Sequence, residues 1–207
     1  KWICLTAAFL AIFVLAPTEQ TMGDVQRIMY VHVSVAWLGL LGLVITAGTG
    51  LIYLIRRDLA WDHWSQAAGE LGWLACTLTL ATGSLWASEA WGTWWTWDPR
   101  LTTMFILWLI NSGYLIVRVS QKDPHRRACL GAVLAIVGLI DVPPVVMATR
   151  CFRGMHPVAP QMEPTMRRVL LITSIGFAAL FGVLLALRRK QIKAERMLAL
   201  LEQRAAA

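Results

Sequence analysis

The chain has 207 residues, of which 57% are hydrophobic and only 15% charged, well below the roughly 25% charge of ordinary globular domains. Its charges gather in short groups between long apolar runs, the pattern of a polytopic membrane protein. The net charge of +7 does not mark a nucleic-acid binder, because the basic residues are split among short segments and a tail, with no continuous face to track phosphates.

A helix needs about 20 apolar residues to cross a bilayer core. Six stretches are candidates: 2–16, 29–55, 66–87, 101–119, 128–149 and 168–188. The first covers only ~22 Å at ~1.5 Å per residue. The chain begins with Lys1 rather than Met, and a cleaved signal peptide is the competing reading, although no small-x-small cleavage site follows. The second stretch carries His32, eight residues beyond Asp24, a candidate N-cap, and so ~12 Å along the helix from that end. An ionisable side chain inside a span is costly and marks a functional candidate. Neutral imidazole is also a common iron ligand. A histidine bonded between helices is the plain alternative. The segment 56–65 reads as a short basic loop, and its His63, like His125 further on, reads as solvated.

The third stretch runs into the most unusual segment. Five of the eleven tryptophans lie between Trp86 and Trp97. Helical spacing in Trp91-Gly92-Thr93-Trp94-Trp95-Thr96-Trp97-Asp98-Pro99-Arg100 would put Trp91, Trp94, Trp95 and Asp98 on one face. A short amphipathic helix along the membrane surface would then present an indole shelf. Such a shelf suits a porphyrin, a flat apolar ring with two carboxylates at one edge. Aromatic faces can cover the ring, and Arg100 can pair with the carboxylates. An aromatic belt at the interface is the alternative. Asp98 before Pro99 is also a good N-cap for the fourth span.

The segment 120–127 reads as a second simple basic loop. In the fifth span, Asp141 precedes Val142-Pro143-Pro144. Prolines free backbone partners, and Asp141 is expected to satisfy freed backbone donors or a neighbouring helix, with a proton or transport role as the alternative. His156 follows in a polar segment, Arg153-Gly154-Met155-His156-Pro157. Two histidines at one end of a bundle could grip one iron from both sides. Cys4, Cys76, Cys129 and Cys151 include no CxxC pair, so a thiolate metal centre or disulfide framework is not expected. The first three lie in apolar runs and read as small buried side chains. The tail 189–207 reads as a solvated amphipathic helix.

Placing the N-terminus inside leaves 13 of the 19 Lys and Arg residues on the inner side. The positive-inside rule then puts both termini in the cytoplasm. The outer segments become roughly 17–28, 87–100 and 150–167. The expected architecture is an all-α polytopic membrane protein of six transmembrane helices with a Trp-rich outer segment. It divides into a membrane domain at 1–188, with the Trp-rich segment at 86–102, and a helical tail.

The run Trp91 to Thr102, WGTWWTWDPRLT, closely resembles the "WWD" segment of the heme-handling superfamily of cytochrome c biogenesis, which includes the CcmC, CcmF and CcsA types. Arg27-Ile28-Met29-Tyr30-Val31-His32-Val33 resembles the histidine-bearing start of the second CcmC span. Asp141-Val142-Pro143 and His156-Pro157 resemble the end of its fifth span and its second histidine. The resemblance covers nearly the whole chain, and six spans in about 200 residues are similar to the CcmC type. Before the second histidine this chain reads Thr149-Arg150-Cys151-Phe152-Arg153-Gly154-Met155 and lacks the tryptophans that the family often has there.

The resemblance implies a protein of the bacterial inner membrane that holds heme b at the outer, periplasmic face and is not an enzyme. It implies His32 and His156 as axial ligands, with Trp91, Trp94, Trp95, Trp97 and Asp98 in the platform. The propionates are expected near Arg27, Arg100, Arg150 or Arg153. The implied partners are the heme chaperone CcmE, the ABC transporter subunits CcmA and CcmB, and the small membrane protein CcmD. The rival readings are a heme–cytochrome c attachment synthase and a structural subunit with an aromatic belt.

Overall fold

A computed structural model describes residues 2–152, 154–156 and 162–205, with the backbone alone at Trp2, Ile3 and Thr149. Helix α1 (Trp2–Leu10) continues into a π turn at Ala11–Leu15, and a 3-10 turn at Asp24–Gln26 leads into α2 (Arg27–Arg56). Then come α3 (Leu59–Trp91), α4 (Pro99–Ser120), α5 (Pro124–Cys151) and α6 (Pro164–Ala205). The described residues contain no strand, only an isolated bridge between Glu19 and Gly23. Helices α2, with its preceding 3-10 turn, α4, α5 and α6 are long and apolar enough to cross a membrane, while the apolar helix at Cys4–Leu15 is shorter. Leu171 and Ile175 of α6, Ile116 of α4 and Ile140 of α5 turn outward, as side chains facing hydrocarbon do.

Local signals start and stop these helices. Asp98 and Asp123 cap α4 and α5, each followed by proline at the first helical position. Proline lacks only an N–H that would be unpaired there anyway. Asp58 caps α3, its Oδ1 accepting from the Ala60 N–H at 2.8 Å. With Arg57 in the left-handed region at φ 55, α2 turns into α3 through two residues. The expected loop at 56–65 is therefore mostly helix.

That difference has an electrostatic cause. Asp62 and Arg118 read as loop or edge residues along the chain, but they pair across helices. Arg118 Nη1 and Nη2 donate to the two Asp62 carboxylate oxygens at 2.7 and 3.0 Å, with side chains only 4% and 2% exposed. Arg196 of α6 donates to the same carboxylate at 2.7 Å, and Arg188 bonds Glu70 at 2.5 Å. The segment after 188 is thus no separate solvated helix. It continues α6 and docks on α3, with Ile192 buried and Arg189 over the Trp64 ring at 4.5 Å. At 42 residues, α6 is about 63 Å long against a ~30 Å hydrocarbon core, so it extends past the bilayer together with the start of α3.

The bundle is tightest where α2 crosses α3. A Cβ on Gly42 would stand 2.6 Å from the Cα of Gly72, so the two backbones touch, as small residues allow in membrane helix pairs. Of the three cysteines expected to be buried, Cys76 is buried, Cys129 is half-buried and Cys4 is exposed; Cys151, at the end of α5, is exposed as well. On α5, Asp141 Oδ2 is buried with no hydrogen-bond partner among the described residues, so the expected bond to freed backbone or to a neighbouring helix is not seen at that atom.

Candidate functional site

The ion-pair network occupies one end of the bundle. The other end, where α2 begins, α3 ends, α4 begins and α5 ends, holds a half-open cleft. His32, Trp86, Trp91, Trp95, Arg100 and His156 line it, with Leu40, Leu101, Met104 and Val145 as its apolar floor. It opens into a wider vestibule between the turn at 17–22 and the start of α6, with His32, Trp86, Arg100 and His156 common to both spaces.

His32 projects from the second turn of α2 onto α3. Its Nδ1 lies 3.1 Å from Thr82 Oγ1, and a Cβ on Gly83 would come within 2.9 Å of its Cε1. The ring is therefore seated on a bare patch of helix backbone. His156 lies in the segment after α5. Its backbone N–H donates to Asp98 Oδ2 at 3.3 Å, and its ring meets Trp91 edge-on at 6.4 Å between centroids.

Asp98 joins two parts of the site. Oδ1 accepts from the backbone N–H groups of Arg100 and Leu101 at 2.9 and 3.2 Å, capping α4. Oδ2 meets His156, and the carboxylate lies so close to Gly154 that a Cβ there would overlap it. A cap was expected of this residue; holding the second histidine segment was not.

The Trp-rich segment does not form the expected surface helix. Gly92, at φ 68, stops α3 at Trp91, its N–H donating to Ser88 O at 3.1 Å. Residues 92–98 then run irregularly to the Asp98 cap. Pro99 holds the preceding residue extended, and Asp98 sits at ψ 149, so a continuous helix through this segment is blocked at both ends. As a result Trp91 and Trp95 face the cleft, but Trp94 and Trp97 do not line it and are 61% and 72% exposed. Trp97 packs edge-on against Trp95 at 5.6 Å and Phe105 at 6.4 Å. Trp86, on the last turns of α3, takes a place on the cleft wall, edge-on to Trp91 at 5.4 Å.

Of the expected cations, Arg100 lines the cleft. Arg27 is turned away, bonded to Asp24 at 2.9 Å and to the Ile12 carbonyl. Arg150 lines neither space, and Arg153 lies outside the described residues. His63 is packed beside Asp62, and burial holds its pKa down to about 4, reinforced by Arg196. The exposed His125 is bonded to Tyr53.

The donor set suits a flat, apolar, acid-bearing ligand. The indole N–H groups of Trp86 and Trp95 are buried with no hydrogen-bond partner among the described residues, an arrangement that is costly unless a ligand accepts from them. Two imidazoles, apolar aromatic walls and one guanidinium share the same space. Sequence reasoning missed Trp86, Thr82 and Gly83. Trp86 could have been found from its place in the tryptophan cluster; Thr82 and Gly83 carry no signal in an apolar run.

The profile of the family described as "Heme exporter protein C" matches residues 1–203. The chain is 35% identical over 201 residues to heme exporter protein C of Rhodobacter capsulatus, covering 93% of this chain and 83% of that one. The Paracoccus denitrificans protein of the same name is 34% identical over 196 residues, with 90% and 81% covered. That of Escherichia coli K12 is 27% identical over 198 residues, with 92% and 79% covered. With the family profile spanning nearly all of the sequence, and relatives above 30% identity covered over most of their length, the chain belongs to the heme exporter protein C family, CcmC.

Proposed function

We propose that this chain binds heme in the cleft between α2, α3 and the Trp-rich segment, with His32 and His156 as axial iron ligands. Heme is cargo here, and the protein acts as a holding site rather than an enzyme. Trp91 and Trp95 cover the ring, while Arg100 and the indole N–H groups of Trp86 and Trp95 receive the propionates. Trp94 and Trp97 form the outer rim of the platform. The cleft faces the periplasm, and both termini lie in the cytoplasm, as the excess of basic residues at the opposite end favours. Bound heme passes to the heme chaperone CcmE, and the chain works beside CcmA, CcmB and CcmD.

One observation carries this reading: two histidines from distant parts of the chain open into one aromatic cleft that also holds an arginine. No side chain needs to act as a nucleophile, because binding, orientation and exclusion of water suffice. Purified protein is expected to show a bis-histidine heme spectrum. His32→Ala and His156→Ala should each abolish it, and an unchanged spectrum in either variant would refute the ligand assignment of that histidine.

A further inference from the structure

We infer that Thr82 is a positioning residue that presets His32 as an iron ligand by fixing its tautomer, with Gly83 supplying the seat for the ring. The inference rests on the proposed ligand role of His32 and extends it to a residue that makes no contact with iron.

The argument begins with the single hydroxyl proton of Thr82. Oγ1 donates to the Leu78 carbonyl one turn back, at 2.7 Å; the Thr79 carbonyl, at 3.4 Å, is a weaker second acceptor. With its proton committed to the backbone, Oγ1 faces His32 Nδ1 at 3.1 Å as an acceptor only. Nδ1 therefore carries the hydrogen and donates it to Thr82, while the Thr79 backbone carbonyl also accepts from the His32 ring. The neutral ring then has its lone pair on Nε2, the nitrogen left for the cleft. Metal-bound histidines repeatedly use such a bond from the other ring nitrogen, which fixes orientation and raises ligand basicity.

Gly83 fixes the remaining freedom. Its hypothetical Cβ falls 2.9 Å from His32 Cε1 and 3.4 Å from Nδ1. Any side chain there would push the ring off α3 and away from the hydroxyl. The adjacent Thr82 and Gly83 thus set the proton and the rotation of a histidine fifty residues earlier.

The test compares Thr82→Val, Thr82→Ser and Gly83→Ala with wild type in detergent. Thr82→Val keeps the shape and loses the acceptor, and loss of such an outer partner typically costs about 10- to 100-fold in metal affinity. Heme affinity should fall by that factor, with the six-coordinate low-spin spectrum giving way to a high-spin one. Thr82→Ser should recover both, and Gly83→Ala should lose the low-spin spectrum with unchanged helical circular dichroism. Nitrogen-15 spectra of histidine-labelled protein without heme read the tautomer directly: Nδ1–H in wild type and Thr82→Ser, mixed in Thr82→Val. Wild-type affinity and spectrum in Thr82→Val, or an Nε2–H ring in wild type, would overturn the inference. His32→Ala in the same series separates the two ideas. If it leaves the heme spectrum intact, the ligand reading fails; if it abolishes the spectrum while Thr82→Val matches wild type, only the role of Thr82 fails.

Discussion

At Asp98 the two carboxylate oxygens do different work, and this makes them separable. Oδ1 caps α4, whereas Oδ2 accepts the backbone N–H of His156. Asn keeps one acceptor and replaces the other with a donor. Asp98→Asn should therefore melt close to wild type but bind heme more weakly, because an NH₂ group would face an N–H. Asp98→Ala should lose the cap as well, at about 1 kcal/mol, and its melting temperature should drop. Thermal melts and heme titrations of the two variants check this. The chain order Asp98-Pro99 made the cap legible in the sequence, and the histidines stood out as ionisable groups near one face. The second bond of Asp98 was not legible, because it joins residues 58 apart. Nor was the split of the tryptophans into inward and outward pairs. Spacing alone treats 91–98 as a helix, and only the φ of Gly92 and the extended Asp98 show why it is not one.

Among the elements, α3 (Leu59–Trp91) and α6 (Pro164–Ala205) run furthest beyond their apolar stretches at 66–87 and 168–188. Apolar runs located all six helices, but the charged residues at 56–65 and after 188 mimic loop and tail. They are in fact the two sides of one ion-pair latch, and pairing across helices leaves no mark in a linear sequence. Removing one partner of a buried pair leaves a bare charge at a cost of about 3–5 kcal/mol. Asp62→Ala, which strips Arg118 and Arg196 of their shared carboxylate, should thus destabilise the protein strongly in thermal or denaturant unfolding, and Arg118→Ala, which leaves Asp62 bonded to Arg196, should cost less. His63 sits in the same latch beside Asp62, Arg118, Arg189 and Arg196. Its folded pKa of about 4 lies below the ordinary 6.5, so the unfolded chain binds more protons between these values. Its contribution to stability is complete above pH 6.5 and is lost as pH falls toward 4. His63→Gln should flatten that part of the melting-temperature profile.

On the scale of the whole molecule, the two ends differ in kind. One is a charged latch and the other an aromatic cleft, with lipid-facing helices between them. Cys151, exposed at the cleft end, reports which side that end faces. A membrane-impermeant maleimide added to intact cells should label it, whereas a cysteine placed at Lys122, in a protein lacking the native thiols, should react only after the membrane is opened. The reverse pattern would invert the proposed orientation.

The backbone contact between Gly42 and Gly72 acts as a fulcrum for the cleft. His32 lies ten residues from Gly42 and Thr82 ten residues from Gly72, so each arm is about 15 Å long. A single methyl at either glycine must pry the two rods apart at their pivot. The imidazole and its hydroxyl partner would then drift out of reach of each other, and cargo would be lost through a change made nowhere near it.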